Sequence, residues 1–148
     1  MIYLGNDHAG YLVKEAIKNY LEKNKIDYED LGSNSLESAN YQEYAFKVAE
    51  KVALNPKIDK GILICGTGVG VCIAANKVKG VLAGLVDKKE LSEYVVSHDH
   101  CNILCLSGLY VNIHDNLEIV KKFLETEPLH DYHEARIIKI LEYENKTK

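Results

Sequence analysis

The chain has 148 residues, 47% of them apolar and 27% charged, the size and make-up of one compact domain spanning 1–148 with a sizeable core. Its net charge of −4, with lysines scattered over helical surfaces, argues against nucleic acid as a partner, and its apolar stretches stay well below the roughly 18 residues of a membrane span. The opening Met1–Asp7 lacks the basic and apolar regions of an export signal, so a cytoplasmic location with reduced cysteines is expected.

Ile2–Leu4 reads as a first buried strand. Tyr11–Asn24 follows as a helix, with Leu12, Val13, Ala16, Ile17, Tyr20 and Leu21 at amphipathic spacing. Ile26–Leu31 has the weaker pattern of an edge strand. Tyr41–Leu54 is a second helix, closed by Asn55-Pro56 because proline pushes the residue before it out of the helical region. Ile62–Cys65 is a third strand, separated by a glycine-rich turn from a short helix at Val71–Lys77. Val81–Val86 and Ile103–Leu106 are two further strands, with a helix at Lys88–Ser97 between them. Helices at Leu117–Leu124 and Glu134–Glu144 complete the chain, which has no internal repeat. Continuous rather than alternating apolar strands imply a sheet covered on both faces. The expected fold is therefore α/β: a doubly wound, three-layer, Rossmann-like domain with five parallel strands flanked by helices. In such sheets ligands bind beyond the carboxyl ends of the strands.

Gly5-Asn6-Asp7-His8-Ala9-Gly10 follows the first strand, and there Asp7 either caps the next helix or, with His8, meets a polar ligand. Cys65-Gly66-Thr67-Gly68-Val69-Gly70 follows the third, with glycines at alternate positions. Backbone amides can turn inward there with no Cβ in the way, and the next helix adds its unpaired N–H groups, which together make an anion site. The spacing is neither a P-loop nor the dinucleotide fingerprint. Cys65 stands at the mouth of this loop, where a helix N-terminus favours a thiolate able to act as base or nucleophile. Cys72, one turn into the helix, reads as structural. Ser97-His98-Asp99-His100-Cys101-Asn102 supplies a histidine suited to proton transfer at neutral pH. Cys101-x3-Cys105 beside His98 and His100 is a weak zinc pattern, and Cys105 lies inside an apolar run, so no metal is expected. Near the end, His130-Asp131-Tyr132-His133-Glu134-Ala135-Arg136 holds the one arginine among 18 basic residues, a choice that suits gripping phosphate as well as an ordinary ion pair.

Three segments together, Gly5–Gly10, Gly61–Gly70 and Ile73-Ala74-Ala75-Asn76-Lys77, resemble the ribose-5-phosphate isomerase B family, which also includes isomerases of allose and galactose 6-phosphates. The resemblance spans nearly the whole chain. It implies aldose–ketose isomerisation of a phosphorylated sugar through a cis-enediolate, without metal or cofactor. Cys65 matches the family's base; Thr67 and the amides of Gly66, Gly68 and Gly70 match the stabilisers of the enediolate oxygens. His98 matches the proton donor that opens the sugar ring together with Asp7. His8 and Arg136 match ligand and phosphate positions, and Tyr41, Val69, Asp99 and His133 complete the expected substrate-binding set. The resemblance further implies a homodimer, often paired into a tetramer, with active sites between subunits and the C-terminal helix reaching across.

The chain also departs from the family pattern. Asn40-Tyr41-Gln42 replaces an Asp-Tyr-Pro motif, Asp99 follows His98 in place of asparagine, and Leu109 and Tyr132 stand where the family has phosphate arginines. Each charge-assisted bond lost in this way is worth roughly 1.5–3 kcal/mol unless His8, His130, His133 or a lysine substitutes. An isomerase of another sugar phosphate, and a sugar-phosphate binding protein that has lost activity, are the alternatives these departures suggest. In either enzyme reading the Cys65 loop, Asp7 and His98 are expected to converge on one ligand.

Overall fold

Alternation within the apolar strands sorts their side chains onto the two faces of one parallel sheet. In the computed structural model, which describes residues 1–37 and 39–147, the strands are β1 (Ile2–Asn6), β2 (Tyr28–Asp30), β3 (Lys60–Cys65), β4 (Ala83–Leu85) and β5 (Ile103–Ser107). Every pair is parallel and the order is β2-β1-β3-β5-β4. The helices are α1 (Tyr11–Lys23), α2 (Tyr41–Leu54), α3 (Val69–Ala75), α4 (Tyr94–Ser97), α5 (Ile113–Glu125) and α6 (Tyr132–Thr147). Ile62, Ile64, Leu104 and Leu106 pack against Val13, Ile17 and Leu21 of α1 and Ile119, Val120 and Phe123 of α5. The alternate residues Leu63, Cys65, Ile103 and Cys105 pack against Ala45, Val48, Ala49 and Val52 of α2 and Val71, Ala74 and Ala75 of α3. Burying each large aliphatic side chain of these layers stabilises the fold by about 1.5–3 kcal/mol. The expected α/β architecture is what the chain adopts.

The order reverses between β1 and β3, because the chain runs outward to β2 on one side and to β5 and β4 on the other. Crossovers on opposite faces leave a crevice at the carboxyl ends of these two strands. Among the described residues no helix is long and apolar enough to cross a membrane.

Several boundaries differ from those expected. The third helix spans Val69–Ala75 rather than Val71–Lys77: Gly68, at φ +84°, turns the chain early, and Asn76 ends it. The Asn76 side chain then pairs with both backbone groups of Ala83, at 2.9 Å each, and so closes the free edge of β4. The expected helix over Lys88–Ser97 is instead a 3₁₀ turn, Lys89–Leu91, followed by the single turn of α4. Its break falls at Ser92, whose hydroxyl donates back to the Lys89 carbonyl at 2.6 Å, a local bond that competes with helix continuation. α5 starts four residues earlier than expected because Asn112 caps it, accepting from the Asp115 amide at 2.8 Å.

Candidate active site

The register fixes what meets at the crevice. Asn6 pairs with Ile64, so Asp7 is level with Cys65 on neighbouring strands about 4.8 Å apart. The Asp7 amide donates to the Ile64 carbonyl at 3.2 Å, which ties the start of the Asp7–Gly10 turn to β3. Asp7 is buried and its Oδ1 accepts from the Ala9 amide at 3.0 Å, so it does cap the 3₁₀ turn His8–Gly10. His8 Nδ1 accepts from the Ala39 amide at 3.2 Å, joining the loop that leads into α2. A buried network underlies this corner. Lys14, fully buried, reaches Asp30 at 3.1 Å and the Ser33 carbonyl, which also accepts from Asn6. Burial works to raise the Asp30 pKa, but the Gly32 amide and Lys14 more than offset this and leave it below the usual carboxylate value.

Cys65, 5% exposed, ends β3 with its sulfur accepting from the Gly68 amide at 3.2 Å. The left-handed Gly68 makes that return possible: a Cβ there would lie 2.5 Å from Leu85 Cδ1 and 3.0 Å from the Leu106 backbone. Thr67 is exposed and its hydroxyl accepts from the Val69 amide at 3.2 Å. The Gly66 carbonyl is held by the Ser107 hydroxyl at 2.7 Å and the Leu109 amide at 3.1 Å. The amides of Thr67 and Gly70 have no acceptor among the described residues and are open to a ligand's oxygens. The Tyr41 ring lies over Gly70, so close that a Cβ on Gly70 would be 2.3 Å from Cε1. Leu109, 67% exposed, flanks Gly66 with an apolar side chain.

A second cluster stands elsewhere. The His98 ring stacks on His133 with centroids 4.0 Å apart and planes 15° apart, and His133 stacks on Tyr132 at 4.2 Å. Tyr94 also lies against His98, tilted by 39° with centroids 4.9 Å apart, and the Arg136 guanidinium sits 5.3 Å from the Tyr132 ring. Asp131 Oδ1 fixes His133 through its ring Nδ1 at 2.8 Å and its amide at 2.9 Å, and these two bonds hold the Asp131 carboxyl below its ordinary pKa. Asp99 is exposed along the β4 edge, lining a groove of about 500 Å³ with Leu85, Val95, Ile137 and Ile140.

Within one chain the two clusters do not converge. His98 precedes β5, and the Asn102 and Ile103 amides donate to Leu82 as the chain enters that strand. Gly61 pairs with Ile103 and Cys65 with Ser107, so the entry of β5 and the Cys65 sulfur are four residues, about 13 Å, apart along the sheet. Cys65, Thr67, Gly66, Gly68, Val69, Gly70, Asp7, His8 and Tyr41 gather at the carboxyl ends, whereas His98, His133 and Arg136 gather past the amino ends and Asp99 lines the groove along β4. Within one chain His98 therefore does not reach Cys65 and Asp7, and their expected meeting on one ligand needs the site between subunits that the resemblance implies. Sequence reasoning also missed Tyr94, Asp131 and the Lys14–Asp30 pair. Only the Asp131-x-His133 spacing carried any signal for them.

The remaining thiols follow their surroundings. Cys72 is lowered to about 7 by a hydrogen bond from Cys105, against the opposing effect of burial. Burial, with the charges of Asp99 and Cys72, pushes Cys101 up to about 12, and burial also raises the fully buried Cys105. Among the described residues no three His, Cys, Asp or Glu side chains group closely enough to hold a metal ion.

Comparison with known proteins gives this arrangement its context. The family described as Ribose/Galactose Isomerase matches residues 2–140. A probable ribose-5-phosphate isomerase B of Mycoplasma genitalium is 44% identical over 99% of this chain and 97% of its own length. The ribose-5-phosphate isomerase B of Escherichia coli is 33% identical over 98% and 97%. The crystal structure of the Mycoplasma genitalium protein with bound ribulose-5-phosphate superposes with a TM-score of 0.97, covering 99% of this chain and 97% of that one. The Clostridium thermocellum ribose-5-phosphate isomerase B, 37% identical, gives 0.94 with 99% of each chain covered. A doubly wound domain with a thiol in a glycine loop at its strand ends is, in this company, an enzyme of the aldose–ketose isomerase class. More particularly, the chain belongs to the ribose/galactose isomerase family.

Proposed function

We propose that the enzyme interconverts ribose 5-phosphate and ribulose 5-phosphate through a cis-enediolate, in a site shared by two copies of the chain. The observation that carries the reading is the division of the chemistry between two ends of one sheet. Cys65, its amide loop and Asp7 form one half-site; His98 with His133 and Arg136 forms the other. One copy supplies the base and the charge stabilisation, and the other supplies the ring-opening proton donor and the phosphate grip. After ring opening, the Cys65 sulfur takes the C2 proton of the open aldose and returns it at C1. The Thr67 and Gly70 amides and the Thr67 hydroxyl hold the oxygens on which negative charge develops. Support for a second copy comes from the apolar side chains beside the loop, with Val69 46% and Ile73 57% exposed on α3, which a partner would cover.

The reading is tested by following ribulose 5-phosphate formed from ribose 5-phosphate, with Cys65→Ala as control. Absence of turnover with every pentose and hexose phosphate would refute it. A second reading, an isomerase of a hexose 6-phosphate, is favoured by the apolar Leu109 at the loop and by Tyr132 occupying the face of Arg136. Comparing kcat/KM on ribose, allose and galactose phosphates decides between the two.

A further inference from the structure

Where α4 ends, the chain turns through His100 at φ +53°, a left-handed conformation that glycine adopts far more readily. The turn itself is an ordinary helix stop, with the His100 amide donating to Val96 at 3.0 Å and the Cys101 amide to Val95 at 2.9 Å. Lys25, at φ +56°, ends α1 in the same left-handed way, so the stop alone does not single out an imidazole; its hydrogen bond does. The imidazole has other work. His100 Nε2 donates to the Leu129 carbonyl at 2.8 Å; a carbonyl only accepts, so this nitrogen carries the proton. The Leu129 amide donates in turn to the Ser97 carbonyl at 3.0 Å. Both backbone groups of Leu129 are thus stitched to residues 97–100, across the linker between α5 and α6. Four residues further on, that linker delivers His133 onto the ring of His98.

We propose that His100 is a positioning residue for His98: it lashes the α5–α6 linker to the end of α4, so that His133 and Asp131 fix the plane of the His98 imidazole. The inference rests on the reading of His98 as proton donor. His100 itself touches no part of the Cys65 loop. A strained residue whose removal eases the backbone but disorders a reacting group is the signature of strain kept for function rather than for folding.

His100→Gly removes the imidazole and the left-handed strain together. Its melting temperature is expected to equal or exceed that of the parent, while kcat on ribose 5-phosphate falls about tenfold with KM little changed, the scale of a misplaced catalytic group. Exchange of the C1 hydrogen of ribulose 5-phosphate with D₂O needs Cys65 but no ring opening, so it should keep the parent rate. His100→Gln, which restores an N–H donor of similar reach, should recover part of kcat although it melts lower. A parent-like kcat in His100→Gly would overturn the proposal, as would a kcat loss matched by equal losses in C1 exchange and melting temperature. If the parent enzyme turns over no pentose phosphate, the substrate reading fails instead. The ring-current shift of the His98 protons by NMR then decides the positioning claim: loss of the shift in His100→Gly upholds it, and persistence overturns it.

Discussion

Gly70→Ala should change sign according to what stands beside it. Gly70 lies in the first turn of α3, and its backbone suits any residue, so alanine there would stabilise the helix by about 0.5–1 kcal/mol. The obstacle is Tyr41, whose Cε1, Cζ and Cδ1 would lie 2.3, 2.7 and 2.9 Å from the new Cβ. Tyr41 is 39% exposed, so its ring can swing outward rather than force the backbone apart. Displacing a packed ring costs about 1–3 kcal/mol, so the single substitution should be destabilising by about 1 kcal/mol net. In a Tyr41→Ala background the obstacle is gone, and Gly70→Ala should stabilise, giving a coupling of about 2 kcal/mol. Thermal unfolding of the four proteins measures this, at about 2–4 °C per kcal/mol for a chain of this length. Activity should follow the ring: Gly70→Ala and Tyr41→Ala lower kcat/KM alike, and the double variant is no worse than either. Equal destabilisation by Gly70→Ala in both backgrounds would refute the reasoning, since the clash would then lie with the backbone.

Iodoacetamide should modify Cys72 with a midpoint near its value of about 7 while Cys101 and Cys105 stay unlabelled through pH 9, and Cys105→Ala should move that midpoint up; peptide mass mapping reads both. Lys14→Met breaks a buried pair and should cost about 3 kcal/mol in urea unfolding, the low end of the range because Lys18 at 3.3 Å and the Gly32 amide still hold Asp30. Because the folded-state pKa of Asp30 lies below its ordinary 3.8, the stability it contributes is present above that value and is lost as pH falls below it; Asp30→Asn should flatten this acid limb.

The architecture was legible because it rests on runs such as Ile62–Cys65 and Ile103–Leu106, whose uninterrupted apolar character admits only a sheet covered on both faces. The glycine loop was legible for a similar reason: alternate glycines between an apolar strand and a helix mark a tight turn whose amides stay open. Short elements fared worse. β4 is three residues long with Asn76 folded onto its outer edge, and no hydropathy pattern signals a side-chain amide turning back onto Ala83. The position of His98 was hidden for a topological reason. Residues that precede a parallel strand lie at the end of the sheet opposite those that follow one, and a motif read along the chain does not carry that distinction. His100 acts through a carbonyl that another segment brings to it, so its chemistry exists only in the fold, whereas Asp131 meets His133 two residues on and left that spacing as a signal.

Two half-sites at opposite ends of one sheet make subunit complementation the most direct test of a shared active site. Cys65→Ala and His98→Asn should each be inactive as homo-oligomers. Co-refolded in equal amounts and associating at random, they should recover about one quarter of wild-type activity, because about half the pairs are mixed and each mixed pair keeps one intact site of two. If both residues served one site within a single chain, no mixed pair would hold an intact site. A mixture that stays inactive, with mixed pairs isolated through two different affinity tags, would contradict the account.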